Sequence, residues 1–202
     1  VKKSDGVTPL TTSEIDLQGG TKNIGMIASK TTSSPAAKIN FIGDAKISGG
    51  IEQKLAIAEK GGEITLKGKV IAGDKDTNSF VEAAIPLYAN GASSKITVEA
   101  SPSAKANLLK FFLKGNSTGA YAKDRGTINM DRTALPSESD GPSIYVKGTN
   151  NKGIGLFASN GGVINAKNHH IKIEDGSVAL SSIGKDGTNK SKIDFTGGKI
   201  DY

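Results

Sequence analysis

Apolar and polar positions alternate along most of the chain in runs too short for helices, and most runs close on a polar turn rich in Gly, Asn, Asp or Ser. The segment GIGLFASNGGVINAK, residues 153–167, shows the unit clearly: an apolar run, the turn Ser159-Asn160-Gly161-Gly162, and a second run led by Ile164. A helix would not tolerate the paired glycines, so the unit predicts strand, turn, strand. Weaker copies recur five more times. Aligning the residue before each turn gives Ala28, Ala58, Ala89, Ala122, Ala158 and Ser181, preceded by Ile27, Ile57, Tyr88, Tyr121, Phe157 and Leu180. After each turn an Ile, a small polar residue and an apolar residue follow: Ile39-Asn40-Phe41, Ile64-Thr65-Leu66, Ile96-Thr97-Val98, Ile128-Asn129-Met130, Ile164-Asn165-Ala166 and Ile193-Asp194-Phe195.

A third short apolar run completes each copy, from Ala45-Lys46-Ile47 to Lys199-Ile200-Asp201. Three strands per repeat, with no helical periodicity to supply crossovers, predict an all-β solenoid, a parallel β-helix of about six coils with loop insertions at coil corners. We read residues 1–202 as a single segment, 1–22 holding the last strand of a partial preceding coil (Glu14-Ile15-Asp16-Leu17) and 23–202 the six coils. The abrupt ends suggest a piece of a longer chain. Stacking should place Ile128 and Met130 in the core and turn Asn40, Thr65, Thr97, Asn129, Asn165 and Asp194 into an outward polar ladder.

The first strand is apolar on both faces. If Leu156 and Ala158 point inward, then Ile27, Ile57, Tyr88, Tyr121, Phe157 and Leu180 form an outward apolar column, which invites either cover or a partner. Insertions fall at residues 99–110 and 131–143 in neighbouring copies, so their loops should project from one edge and meet over an apolar base of Leu108, Leu109, Leu135 and Pro136. Residues 103–110 fit a loop or a short helical turn equally well. A third insertion, residues 74–84, is expected at the corner leading into the Tyr88 strand.

Composition narrows the chemistry. Cys is absent, which excludes disulfides and thiolate metal sites without deciding the compartment. The net charge of +6 comes from lysines scattered singly, a pattern of solvated strand faces and not of a nucleic-acid stripe. No run is long and apolar enough to span a membrane as a helix. No P-loop, HExxH or GxSxG is present, and Ser182-Ile183-Gly184-Lys185 matches SxxK without a companion motif. His169 and His170 sit between strands, and since adjacent residues of a strand point to opposite faces they make poor joint metal ligands. No metal or other cofactor is expected. The two arginines, Arg125 and Arg132, flank one strand, each beside an Asp, and their planar forks suit carboxylates, although ordinary surface ion pairing is the favoured account of them. Carboxylates do not line up on one face of adjacent coils as a β-helix enzyme would need. The binding candidates are therefore Tyr88, Tyr121 and Phe157 in the outward column, Arg125 and Arg132, and Leu108 and Leu135 at the protrusion.

The phrases GIGLFASNGGVIN, IAEKGGEITL and YAKDRGTINM resemble repeats in the passenger regions of the large type V autotransporter adhesins of fusobacteria, over roughly residues 23–202. The resemblance implies a right-handed parallel β-helix displayed on the bacterial cell surface. It implies anchorage in the outer membrane by a C-terminal barrel outside this sequence, with no catalytic activity. It also implies adhesion to host cells or other bacteria through a receptor protein or a glycan. The lack of Cys fits export of an unfolded chain through such a barrel. A carbohydrate-active β-helix enzyme, a lyase or hydrolase of acidic polysaccharide, and a pure structural spacer stand as alternatives, and convergent carboxylates in a groove would separate the first from an adhesin.

Overall fold

The computed structural model describes residues 13–30, 35–99, 109–138, 141–148, 152–184 and 190–202. Strand β1 (Glu14–Leu17) precedes six coils of three strands. The first is β2 (Ile24–Ser29), β3 (Lys38–Ile42) and β4 (Asp44–Ile47); the second is β5 (Lys54–Glu59), β6 (Glu63–Lys67) and β7 (Val70–Ala72), continued by β8 (Val81–Glu82). The third is β9 (Leu87–Asn90), β10 (Lys95–Glu99) and β11 (Leu109–Lys114); the fourth is β12 (Thr118–Lys123), β13 (Thr127–Asn129) and β14 (Ile144–Lys147). The last two are β15 (Ile154–Ser159), β16 (Val163–Asn165), β17 (His170–Glu174) and β18 (Val178–Ile183), β19 (Lys192–Asp194), β20 (Lys199–Asp201). Like strands of successive coils pair in parallel, giving three sheets stacked in chain order. This is the expected parallel β-helix, with β1 as the last strand of a preceding turn.

Register follows the apolar columns. Ile39, Ile64, Ile96, Ile128, Ile164 and Ile193 pair in one unbroken row of the second sheet. Ile128 and Ile164 have no exposed surface, and Met130 is buried beside them. The polar ladder beside that row also forms, with the Asn165 Nδ2 donating to Asn129 Oδ1 at 2.7 Å. In the first sheet the row Ala28, Ala58, Ala89, Ala122 and Ala158 holds through five coils. It then meets Ser182, not the expected Ser181, so that Leu180 pairs with Leu156 and Phe157 with Ser181. The shift turns Leu180 toward the core and Ser181 outward, the register that removes more apolar surface from water.

Two glycine sites explain the repeating sequence. At the corner after the first strand, a Cβ on Gly162 would collide with the Ala122 carbonyl of the coil before, and Gly62 and Gly126 stand in the same relation to Ala28 and Ala89. At the entry to the first strand the chain turns two consecutive positions inward. Leu55 and Ala56 both donate to the Pro86 carbonyl, at 3.2 and 3.0 Å, and both are buried. In three other coils that extra inward position is Gly25, Gly119 or Gly155, whose Cβ would lie 2.8 Å from the Leu55 carbonyl, 2.6 Å from the Gly155 carbonyl and 2.5 Å from the Ala179 carbonyl, respectively.

Insertions depart from expectation in two places. Leu109, expected in a loop base, is the first residue of β11 and is 2% exposed. Residues 73–80 do not form a corner. β7 and β8 both pair along β11, Leu109 to Phe111 opposite Val70 to Ala72 and Leu113 opposite Val81. The chain thus leaves the third sheet in mid-strand, arches outward and returns in line. Asp74 and Ser79 bridge its base, each backbone N–H bonding the other's carbonyl at 2.7 Å.

Candidate functional site

The arch walls a recess on the outer face of the third sheet. Phe112 alternates with the core residues Phe111 and Leu113 and must point away from the core, yet it is 1% exposed. Phe80, at the foot of the arch, packs edge-on against it at 6.2 Å between ring centroids and against Tyr145 of the next coil at 5.2 Å. Lys172 Nζ sits 4.8 Å from the Tyr145 ring centre. Burial raises the Tyr145 hydroxyl pKa, and bonds from Lys172 and Tyr145 hold the Glu174 carboxyl below its usual range. This aromatic anchor fixes the arch to the sheet.

Between the arch and the outer face of β1, β4, β7 and β11 lies a groove of about 610 Å³. Its floor is the outward row Asp16, Lys46, Ile71 and Lys110, one residue from each of four successive turns. Ser48 and Phe112 extend the floor along the strands, and Asp74, Lys75, Asp76 and Thr77 form the wall. Asp16 accepts from Ser48 Oγ at 2.7 Å, and Lys46 reaches Glu14 at 2.6 Å, a bond that raises the Lys46 pKa. Asp74 Oδ1 accepts from the Asp76 backbone N–H at 2.9 Å, which shapes the arch tip. Three aspartates thus line one groove although they do not align in sequence, because one comes from the preceding turn and two from the excursion. Among the described residues no group of three His, Asp or Glu side chains is placed to hold a metal ion.

The outward column forms as a stack. Tyr121 and Phe157 lie 4.6 Å apart with planes 21° from parallel, Tyr88 lies 5.3 Å from Tyr121, and Lys54 Nζ covers the far face of Tyr88 at 5.3 Å. The Tyr121 and Ser159 hydroxyls are 3.2 Å apart. All three rings are half-buried. Because the Tyr121 and Phe157 faces are spent on each other, the column offers mainly ring edges to an incoming ligand. At the end of the stack beyond Tyr88, Ile57 is 5% exposed and Ile27 is 49% exposed.

Arg125 and Arg132 are not brought together. They lie at opposite ends of β13, the first exposed and the second half-buried. Arg125 takes the left-handed conformation (φ 68°) at a position held by Ser93 (φ 63°) in the coil before and by Gly161 (φ 81°) in the coil after. Arg132 Nε reaches the Ala134 carbonyl at 3.4 Å, and its own carbonyl accepts from Asn168 Nδ2 at 2.9 Å. Leu135 is 43% exposed beside the buried Pro136, while Leu108 and the rest of residues 100–108 lie outside the described residues. Gly141 of the 131–143 loop packs on the arch, since a Cβ there would meet Lys75 Nζ at 3.1 Å.

His169 and His170 point to opposite faces, as strand alternation requires. His169 has no exposed surface and stands 3.0 Å from Ser143 Oγ through Nδ1, while its Nε2 meets the Met130 carbonyl. Burial lowers its pKa to about 4. His170 bonds Asp201 of the last coil at 2.7 Å, which with Lys199 lowers the Asp201 carboxyl. Neither the groove nor the arch was legible as a site. The signal that points to it is the unmatched phenylalanine pair Phe111-Phe112, since two adjacent aromatics on a strand demand a cover on both faces. Compared with protein-family models, curated proteins and solved structures, the chain matches none of them.

Proposed function

We propose that the chain is a non-catalytic adhesive segment of a bacterial cell-surface protein, a β-helical stalk whose excursions contact a receptor protein or glycan on host cells or partner bacteria. The observation that carries this reading is the gathering of the arch and the 131–143 loop on one face of an otherwise regular stack. In a solenoid the coils are constrained by their neighbours and recognition is carried by what departs from them. The resemblance of the repeats to autotransporter passengers supplies the cell-surface setting, the outer-membrane anchor and the partner classes. The purified chain, coated on beads, is expected to adhere to host epithelial cells or to partner bacteria, and replacing residues 74–79 by Gly-Gly is expected to weaken adhesion while circular dichroism stays unchanged. A folded protein that adheres to neither cell type would leave the spacer reading instead.

The three aspartates of the groove favour one second reading, a hydrolase or lyase of acidic polysaccharide. New reducing or unsaturated ends released from polygalacturonate by the protein, and lost on Asp16→Asn or Asp74→Asn, would establish it. Intact polymer after prolonged incubation would remove it.

A further inference from the structure

We propose, resting on the binding-segment reading above, that the groove under the arch is a subsite for a linear, uncharged oligosaccharide of about three sugar units, lying along the coil axis. Charge comes first. Asp16, Asp74 and Asp76 stand with Lys46, Lys75 and Lys110 in the lining, and Lys46 also carries Glu14 at 2.6 Å, so the groove has no excess of positive charge although the chain carries +6. A polyanion such as nucleic acid or an acidic glycan gains nothing there from long-range attraction, while a neutral ligand pays no cost of burying its own charge.

Shape is the second argument. The floor row takes one residue from each of four successive turns, which rise by about 4.8 Å each, close to the length of one pyranose in a chain. The volume of about 610 Å³ is that of a small-ligand cleft. An extended peptide would seek an unpaired strand edge, but the groove runs across strands whose backbone groups already pair from coil to coil.

Chemistry is the third. Ile71 is the one apolar residue in the floor row, and around it stand ammonium donors, carboxylate acceptors and the hydroxyls of Ser48, Thr77 and Ser79. A sugar presents the same combination, an apolar ring face with hydroxyls around its rim that both donate and accept. Asp76 and Thr77 are exposed and line the wall of the recess.

Maltotriose, cellotriose, a β-1,3-linked galactotriose and, as an acidic control, trigalacturonate are titrated into the full chain by calorimetry. At least one neutral trisaccharide is expected to bind, and Ile71→Lys and Asp76→Ala are each expected to weaken it by about tenfold or more with the thermal midpoint retained. No binding by any neutral trisaccharide, tighter binding of trigalacturonate, or equal affinity in both variants would overturn the proposal. Adhesion is scored separately. Cell adherence that excess neutral trisaccharide fails to inhibit overturns the subsite while leaving the adhesive reading, and sugar binding without cell adherence upholds the subsite and overturns the adhesive reading.

Discussion

His169 lies between the Ser143 hydroxyl and the Met130 carbonyl with no exposed surface, so protonating it places a charge in the stacked core with only one new partner to offset desolvation. Its folded pKa of about 4 lies below the ordinary value of 6.5. The unfolded chain therefore binds the proton first, and stability is full above pH 6.5, falls as pH drops toward 4, and levels below it. The total loss is about 3 kcal/mol. Urea midpoints at pH 7.5 and 4.5 should show it, and His169→Gln, which keeps a donor near Met130, should flatten the profile. Gly155 tests packing at the same scale. An added methyl would lie 2.5 Å from the Ala179 carbonyl and 3.2 Å from Ile171 Cγ2, so Gly155→Ala should cost about 1–3 kcal/mol in chemical unfolding. Arg125→Gly should act in the other direction. It relieves a left-handed arginine at a position where the following coil uses glycine, and a gain of up to about 1 kcal/mol is expected. If the same variant loses cell adhesion, the conformational cost is retained for binding.

At the scale of elements, the arch is the part whose placement sequence periodicity could not supply. Residues 74–84 read as a corner insertion because β7 and β8 are each too short to announce a shared strand, and only pairing of both along β11 shows that the chain returns in line. Phe112 links the arch to the sheet, with Phe80 and Tyr145 at its edges. Phe112→Ala should cost about 3–5 kcal/mol, the loss expected of a fully buried aromatic, and should open residues 73–80 to limited proteolysis before the coils unfold. Cleavage there in the wild type at the same rate would mean the aromatic anchor does not hold the arch. The coil strands themselves were legible: the Ile rows, the polar ladder and five of the six first strands pair as the turn spacing requires. The sixth differs by one from the alignment by turns, since Ser182 and not Ser181 meets Ala158, and the register is the one that turns Leu180 toward the core.

Across the whole molecule the lysines acquire a structural meaning. Lys22 meets Glu52, Lys38 meets Glu63, Lys46 meets Glu14, Lys67 meets Glu99 and Lys114 meets Glu82, each across one coil spacing. These pairs are exposed, so each contributes little on its own, and their arrangement keeps the stacked faces wet and free of edge pairing. Raising salt to about 1 M should therefore change the unfolding free energy by less than about 1 kcal/mol per pair and leave the cooperative transition in place, whereas Ile128→Ala at mid-stack should lower it by about 2–5 kcal/mol. A salt effect larger than that of the core substitution would mean that ion pairs, and not the apolar rows, hold the coils together.

The repeat alone determined the three-sheet solenoid, the number of coils and the inward rows, because side-chain alternation and coil stacking are local rules that each copy states again. Tertiary structure decided which residues share an outer face. Asp16, Lys46, Ile71 and Lys110 are far apart in the chain and become neighbours only through the pitch of the coils, and the arch that walls them off is held by the packing of Phe80 on Phe112 and Tyr145, which no periodicity encodes. The same stacking spends the faces of Tyr121 and Phe157 on each other, so the column most visible in the sequence yields to a groove that becomes visible only when the strands are paired.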